Sequence, residues 1–298
     1  MDFKQLEAYV QVIERASFSK AAEAIFVSQP SVSIYINTLE KELATTLISR
    51  STKEVYPTLA GKVFYENAKE LLALKANTVE RIKNLSGNFV GEINVSASSV
   101  PAQYILPEIL ADFTNKHPGI SFTVKQADTL EVSRNIANQV AEIGFAGGIA
   151  EDSKCDFTKF MAEQLVAIAP YDKGFSAAEC YPLDSLLYEH RFISREVGSG
   201  TRTQYESFFT QHNIDIKKVN TGICFDNTQS IINAVVNGLG ISIVSELAAR
   251  AFIKKKMVML LKLDTKLPER AFYFVLKKNF AHSHLVGLFV EFLKNTLE

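Results

Sequence analysis

Two short stretches of this sequence bring hydroxyls and glycines together at spacings suited to holding an anion. SASSVPAQY (96–104) sets Ser98, Ser99 and Gln103 directly after strand-like alternation. REVGSGTR (195–202) sets Ser199 and Thr201 among Gly198 and Gly200. Glycine allows a tight turn, and the first amides of a following helix lack intrahelical acceptors. Such amides, with hydroxyls beside them, favour negative charge. GSGT alone also describes an ordinary capped turn. The recurrence in two halves of the chain is what suggests two facing walls, because ligands of open α/β sheets sit at the carboxyl ends of strands. No Gly-Lys-Ser/Thr follows either stretch, which disfavours a phosphate-cradling P-loop. Arg195 and Arg202 flank the second stretch, as ligands or as structural partners.

A third stretch, SQPSVSIYINTLEKEL (28–43), has another kind of chemistry. Ser28 can cap a helix whose first turn holds Pro30. With Val32, Ile36, Leu39 and Leu43 on one face, Pro30, Ser33, Ile34, Asn37 and Lys41 fall opposite. A helix entering a major groove ~12 Å wide needs small or polar side chains on its outer face. Ser31, Ser33, Tyr35, Asn37 and Thr38 can donate to phosphates or bases, and Gln29 stands at the helix N-terminus. Arg50 and Lys53, in the hairpin that follows, could reach an adjacent DNA backbone. A surface helix of a protein-interaction module is the alternative, and Ile34 favours it, since isoleucine donates nothing to phosphate.

Other chemistry is thinly represented. Cys155, Cys180 and Cys224 are odd in number and far apart, with neither C-x-x-C nor zinc spacing. His282 and His284 have no second pair to complete a metal site. No Ser/His/Asp spacing or catalytic carboxylate pair stands out, so no cofactor, metal or enzymatic activity is expected.

The elements that must position these residues follow from periodicity. Apolar residues at Phe3, Leu6, Val10 and Ile13 predict a first helix, and Phe18, Ala21, Ala22 and Ile25 a short second one. With the third helix and a hairpin over 46–58, these make a winged helix-turn-helix. Residues 59–86 predict one long helix with a heptad seam of Phe64, Ala68, Leu71, Lys75, Thr78, Ile82 and Leu85. Such a helix pairs with a second chain or, as the alternative, packs on its own domain. From residue 90, strands alternate with helices in two similar runs, which predicts two small α/β lobes. The last strand (AFYFVLKK) and helix complete the first lobe if the chain crosses over. The expected fold class is therefore α/β: a DNA-binding domain over 1–58, a linker helix over 59–88, and a two-lobed domain over 89–298. Lobe I takes about 89–161 plus 266–298, and lobe II about 162–265.

The chain has 298 residues and a net charge of -1. That balance does not advertise a nucleic-acid binder. Six Lys and Arg meet seven Asp and Glu in residues 1–58, while 59–88 carries a net +2. No apolar run is long enough to span a bilayer, and the N-terminus does not read as a signal peptide, so a cytoplasmic location is expected.

The stretch SFSKAAEAIFVSQPSVSIYINTLEKELATTLISRSTKEVYPTLAG resembles the N-terminal motif of LysR-type transcriptional regulators. The resemblance rests on Ala21-Ala22, Ser28-Gln29-Pro30-Ser31-Val32-Ser33, Leu39-Glu40 and Thr58-x-x-Gly61. It extends over the whole chain. It implies a double-stranded DNA operator, a homodimer or homotetramer, and a periplasmic-binding-protein-like domain with Rossmann-like lobes that holds a small effector. The family usually has Arg where Ile34 stands, so the corresponding phosphate contact is not expected here. SSxxAQYxLP and REVGSGTR resemble the branch of sulphur-assimilation and carbon-fixation regulators. That branch implies a small anion: a sulfur oxyanion, or a phosphorylated or carboxylate metabolite. A solute-binding protein or an enzyme on the same scaffold are the rivals from other classes. The first has no use for residues 1–86, and the second lacks a catalytic constellation.

Overall fold

The computed structural model describes residues 1–50, 55–83, 89–150, 152–171, 174–280 and 282–297. The chain divides into two compact units, Met1–Gly87 with Phe280–His284, and Asn88–Asn279 with Leu285–Glu298.

In the first unit, side chains fix where each helix starts. Asp2 accepts from the Gln5 amide while Gln5 reaches back, a capping box that opens α1 (Phe3–Arg15). Ser17 caps α2 (Phe18–Ala24), and Ser28 caps α3 (Gln29–Glu42). The three helices close on Tyr9, Val12, Ala21, Ala22, Val32, Ile36 and Leu39. Leu43, expected on the same buried face, is exposed. The helix has ended by then, and Ala44 turns left-handed with φ 50°. β1 (Ile48–Arg50) and β2 (Val55–Pro57) form the antiparallel wing. Lys53 lies outside the described residues.

The long helix α4 (Leu59–Lys83) starts at Thr58, whose hydroxyl accepts from the Gly61 amide at 3.0 Å. Phe64 and Ala68, expected in an intermolecular seam, pack on Leu6 and Val10 of the same unit. The exposed apolar residues of α4 are Leu59, Val63, Leu71, Leu74, Val79 and Ile82.

The second unit opens with β3 (Gly91–Ala97), a π-helical turn (Pro101–Ile105) and α5 (Leu106–Lys116). β4 (Ile120–Gln126), α6 (Thr129–Ala137) and β5 (Ile143–Ala146) follow. β6 runs from Cys155 to Pro170. Next come β7 (Cys180–Tyr181), α7 (Leu183–Glu189), β8 (Phe192–Arg195), α8 (Gly200–Gln211) and β9 (Thr221–Phe225). Then follow α9 (Thr228–Val236), β10 (Ser242–Ser245), α10 (Glu246–Lys254), β11 (Val258–Leu260) and β12 (Lys262–Leu263). β13 (Glu269–Lys277) and α11 (His284–Leu297) end the chain.

Pairing sorts these strands into two lobes. β3 lies parallel to β4 and β5, and β13 returns antiparallel to β5. The last strand and helix thus belong to the first lobe, where Leu285, Val286, Phe289 and Leu293 pack with Ile93, Val95 and Phe113. β6 pairs with β13 over its first part, then with β10 and β11 over its second. β8 and β9 are parallel, and a bridge from Phe192 to Ile241 ties β8 to the strand beside β6. The second lobe buries Leu165, Ala167, Phe192, Tyr205 and Phe209 on one side, and Ile168, Ile193, Ile231 and Val244 on the other.

Candidate functional site

The two Ser/Gly stretches face each other across the lobes. β3 ends at Ala97 and leaves Ser98 and Ser99 at its carboxyl end, while β8 ends at Arg195 and leads to the turn before α8. Both stretches line one small cavity with Val100, Thr129, Gly147, Arg195, Arg270 and Phe272. Its volume is about 10 Å³, room for roughly one water.

Most of the polar lining is already engaged. Ser98 Oγ accepts from the Gly147 amide at 3.1 Å, which anchors the turn after β5. Ser99 and Thr228 hydroxyls meet at 3.1 Å across the lobes. Tyr104 donates its hydroxyl to Gln229 at 2.7 Å, a second bridge. Ser199 holds the N-cap position of α8, but its side chain makes no capping bond. Gly200 permits close approach: a Cβ there would meet the Gly147 carbonyl oxygen at 2.8 Å and Thr129 Oγ1 at 2.9 Å.

Gln103 and Gly198 do not line this cavity. Gln103 donates to Gln126 at 2.9 Å. Gly198 has φ +96°, and a Cβ on it would stand 2.8 Å from the Asp128 carboxylate. Its role is to turn the chain past the residue that caps α6. Arg195 forks onto Glu196 through two bonds of 2.7 Å and reaches Thr228 at 3.0 Å. Arg202 bonds Glu206 at 2.7 Å and the Arg195 carbonyl at 3.0 Å. Both arginines are structural partners in this state.

The residue that sequence reasoning missed is Arg270. It is buried on β13, with its guanidinium 4.9 Å from the Phe272 ring centroid. Nε pairs with Glu163 of β6, which also accepts from the Ser245 hydroxyl. Nη1 donates to Thr201 Oγ1 at 2.8 Å, across the lobes. Nη2 has no hydrogen-bond partner among the described residues. Burial pushes the Glu163 carboxyl up from its usual value and the Arg270 guanidinium down, and each is partly drawn back by the other. A signal was available in PERAFYFVLKK: Arg270 alternates with Phe272 and Phe274, so a cation sits on the inward face of an apolar strand.

The outer face of α3 exposes Gln29, Pro30, Ile34, Asn37 and Thr38, with Ser31, Ser33 and Tyr35 half-buried. Several polar groups bond locally: Ser28 with Ser31 at 2.8 Å, Gln29 to Ser33 at 3.0 Å, and Thr38 to the Ile34 carbonyl at 2.8 Å. Gln29, Pro30, Ser33, Ile34 and Asn37 thus share one face of the helix, from its start to past its middle. Arg50 closes β1 on the adjoining wing. Among the described residues, no group of three or more His, Cys, Asp or Glu could hold a metal ion.

Comparison with known proteins agrees with this arrangement. The family described as bacterial regulatory helix-turn-helix protein, lysR family, matches residues 3–62. The LysR substrate binding domain matches residues 86–298. The HTH-type transcriptional regulator CysL of Bacillus subtilis is 28% identical over 95% of this chain and 91% of its own. A probable RuBisCO transcriptional regulator of Phaeodactylum tricornutum is 31% identical over 88% of this chain and 86% of its own. The Synechocystis CcmR regulatory domain, solved in complex with 2-PG, superposes with a TM-score of 0.63 at 22% identity. That superposition covers 70% of this chain and 98% of the domain. The chain belongs to the LysR family: it is a DNA-binding transcriptional regulator with an effector-binding domain.

Proposed function

We propose that this regulator senses a small oxyanion, such as sulfite or sulfate, between the lobes of its effector domain. The observation that carries the reading is buried Arg270, a cation with one unpartnered Nη2 in a cavity lined by Ser98, Ser99, Thr129, Ser199 and Thr201. A buried donor without an acceptor is costly, and an anionic oxygen would satisfy it. At about 10 Å³ the cavity holds only one water in this state, so an oxyanion of four or five atoms enters only as the lobes part. A phosphorylated metabolite is the second reading, favoured by the solved CcmR domain holding 2-PG. Titration calorimetry of the full-length protein decides between them. Heat with sulfite or sulfate supports the first. No heat with sulfur oxyanions and tight binding of 2-PG would replace it with the second.

In this reading residues 1–58 bind DNA, 59–88 join two chains, and 89–298 bind effector, with lobes meeting near 161 and 266. Ser28, Gln29, Pro30, Ser31, Ser33, Ile34, Tyr35, Asn37 and Thr38 of α3 face the major groove, and Arg50 and Lys53 the flanking backbone. The exposed stripe of α4 joins the dimer, and two dimers make the tetramer. Effector shifts the population between two lobe arrangements that present the DNA-binding units differently. A regulator of this kind works in the cytoplasm, with the DNA. Ser33→Glu places a carboxylate against the phosphates and should abolish operator shifts in gels while leaving the dimer intact.

A further inference from the structure

We infer that Ile34 is a specificity-determining residue that reads the 5-methyl group of a thymine in each operator half-site; this rests on α3 being the reading helix. Ile34 is 62% exposed in the middle of α3. Pro30, one turn earlier, is exposed too, so the two form a short apolar strip along the outward face. Packing within the unit does not explain an isoleucine there, because the buried face of the helix is Val32, Ile36 and Leu39. Helix propensity does not explain it either, since a β-branched residue is a poorer helix former than its straight-chain alternatives.

The neighbouring polar groups narrow what the strip can do. Gln29 and Ser33 are bonded to each other, and the Thr38 hydroxyl is turned onto the Ile34 carbonyl at 2.8 Å. Beside the exposed Asn37, the middle of the face therefore presents hydrocarbon toward the groove at Ile34. Among the four bases thymine alone offers hydrocarbon in the major groove, through its methyl group. A side chain branched at Cβ is stiff at χ1, which suits a fixed van der Waals contact better than a flexible arm would. The consequence is recognition by shape and apolar contact at a position where a cation would add phosphate affinity without reading sequence.

The test uses an operator selected from random duplexes by the full-length protein. Each thymine is replaced in turn by deoxyuridine, which removes only the methyl group. One thymine per half-site should weaken binding by about three- to fivefold, the worth of one buried methyl-sized group. Ile34→Ala, which removes the contact from both half-sites of a dimer at once, should bind the unmodified operator about ten- to twenty-fivefold weaker, lose nothing further at that thymine, and keep its other sensitivities. The same deoxyuridine profile in Ile34→Ala and the native protein would overturn the inference, as would a native profile with no sensitive thymine. Ser33→Glu, run in parallel, separates the two ideas. Retained affinity in that variant sinks the assignment of α3 itself. Lost affinity together with an Ile34-independent profile sinks only the thymine contact.

Discussion

Arg270 and Glu163 form a buried ion pair with a third obligation, because the same guanidinium also bonds Thr201 of the opposite lobe. Removing one member leaves the other charged and buried. Arg270→Gln should therefore cost about 3 kcal/mol of stability as well as effector affinity. Urea melts and calorimetry separate the two effects. Replacing both residues with methionine should restore most of the stability without restoring anion binding, since a well-packed apolar pair is often no worse than an ion pair. Glu40 offers a second test. Its Oε1 accepts from the Leu47 and Ile48 amides at 2.8 and 3.1 Å, which fastens the wing to α3. Glu40→Ala should lower the stability of the DNA-binding unit by roughly 1–3 kcal/mol, read by urea titration. The sequence motif that includes Leu39-Glu40 thus has a structural cause. Ala21 and Ala22 have one as well, being buried where α2 packs on its neighbours. What stayed hidden at this scale was long-range. Arg270 lies 69 residues from the Thr201 it meets, and no local pattern carries that distance. Gln103 bonds Gln126 and Gly198 turns the chain past Asp128, so neither lines the small cavity of Ser98 and Thr201.

Elements were legible where their caps and periods were strong. α1, α2 and α3 begin next to Asp2, Ser17 and Ser28, each bonded to an amide of its first turn. The long helix was visible too, but its facing was not. Periodicity places Phe64 and Ala68 on a stripe without saying which surface meets it, and α1 meets it first. The remaining exposed stripe predicts that Leu74→Asp with Ile82→Asp shifts the protein toward monomer, measured by sedimentation, with the fold of each unit intact by circular dichroism. Gly61 shows how tightly this helix joins the wing. A Cβ there would meet the Leu47 carbonyl oxygen at 2.0 Å, and the Tyr9 hydroxyl already donates to the Gly61 carbonyl at 2.9 Å. Gly61→Ala should force the start of α4 away from the wing and lower operator affinity in gel shifts. The first half of β6 escaped sequence reading because CDFTKFMAE mixes charges with aromatics. That mixture fits the part of the strand paired with β13, whose residues between Cys155 and Glu163 are exposed or half-buried.

At the scale of the whole molecule, part of the positive charge beside the DNA-binding helices is engaged within the chain. Lys75 pairs with Glu7 at 3.1 Å and lies 4.7 Å from the Phe3 ring centroid, and Lys69 pairs with Glu14 at 3.6 Å. The net +2 of the linker is thus partly used on α1. Affinity then depends on two or four copies acting together rather than on a basic surface. The logarithm of the operator binding constant should fall with the logarithm of salt concentration at a slope of about -3 or shallower per subunit. Filter binding across a salt series measures it, and a much steeper slope would place the DNA surface elsewhere.

The strand shared by the two sheets has a consequence for unfolding. β6 contributes hydrogen bonds to β13 in one lobe and to β10 and β11 in the other. Neither lobe can release it without breaking the ladder of its neighbour. The two lobes should therefore melt as one cooperative unit, and the slowest-exchanging amides of the domain should cluster along β6 on both sides of the crossing.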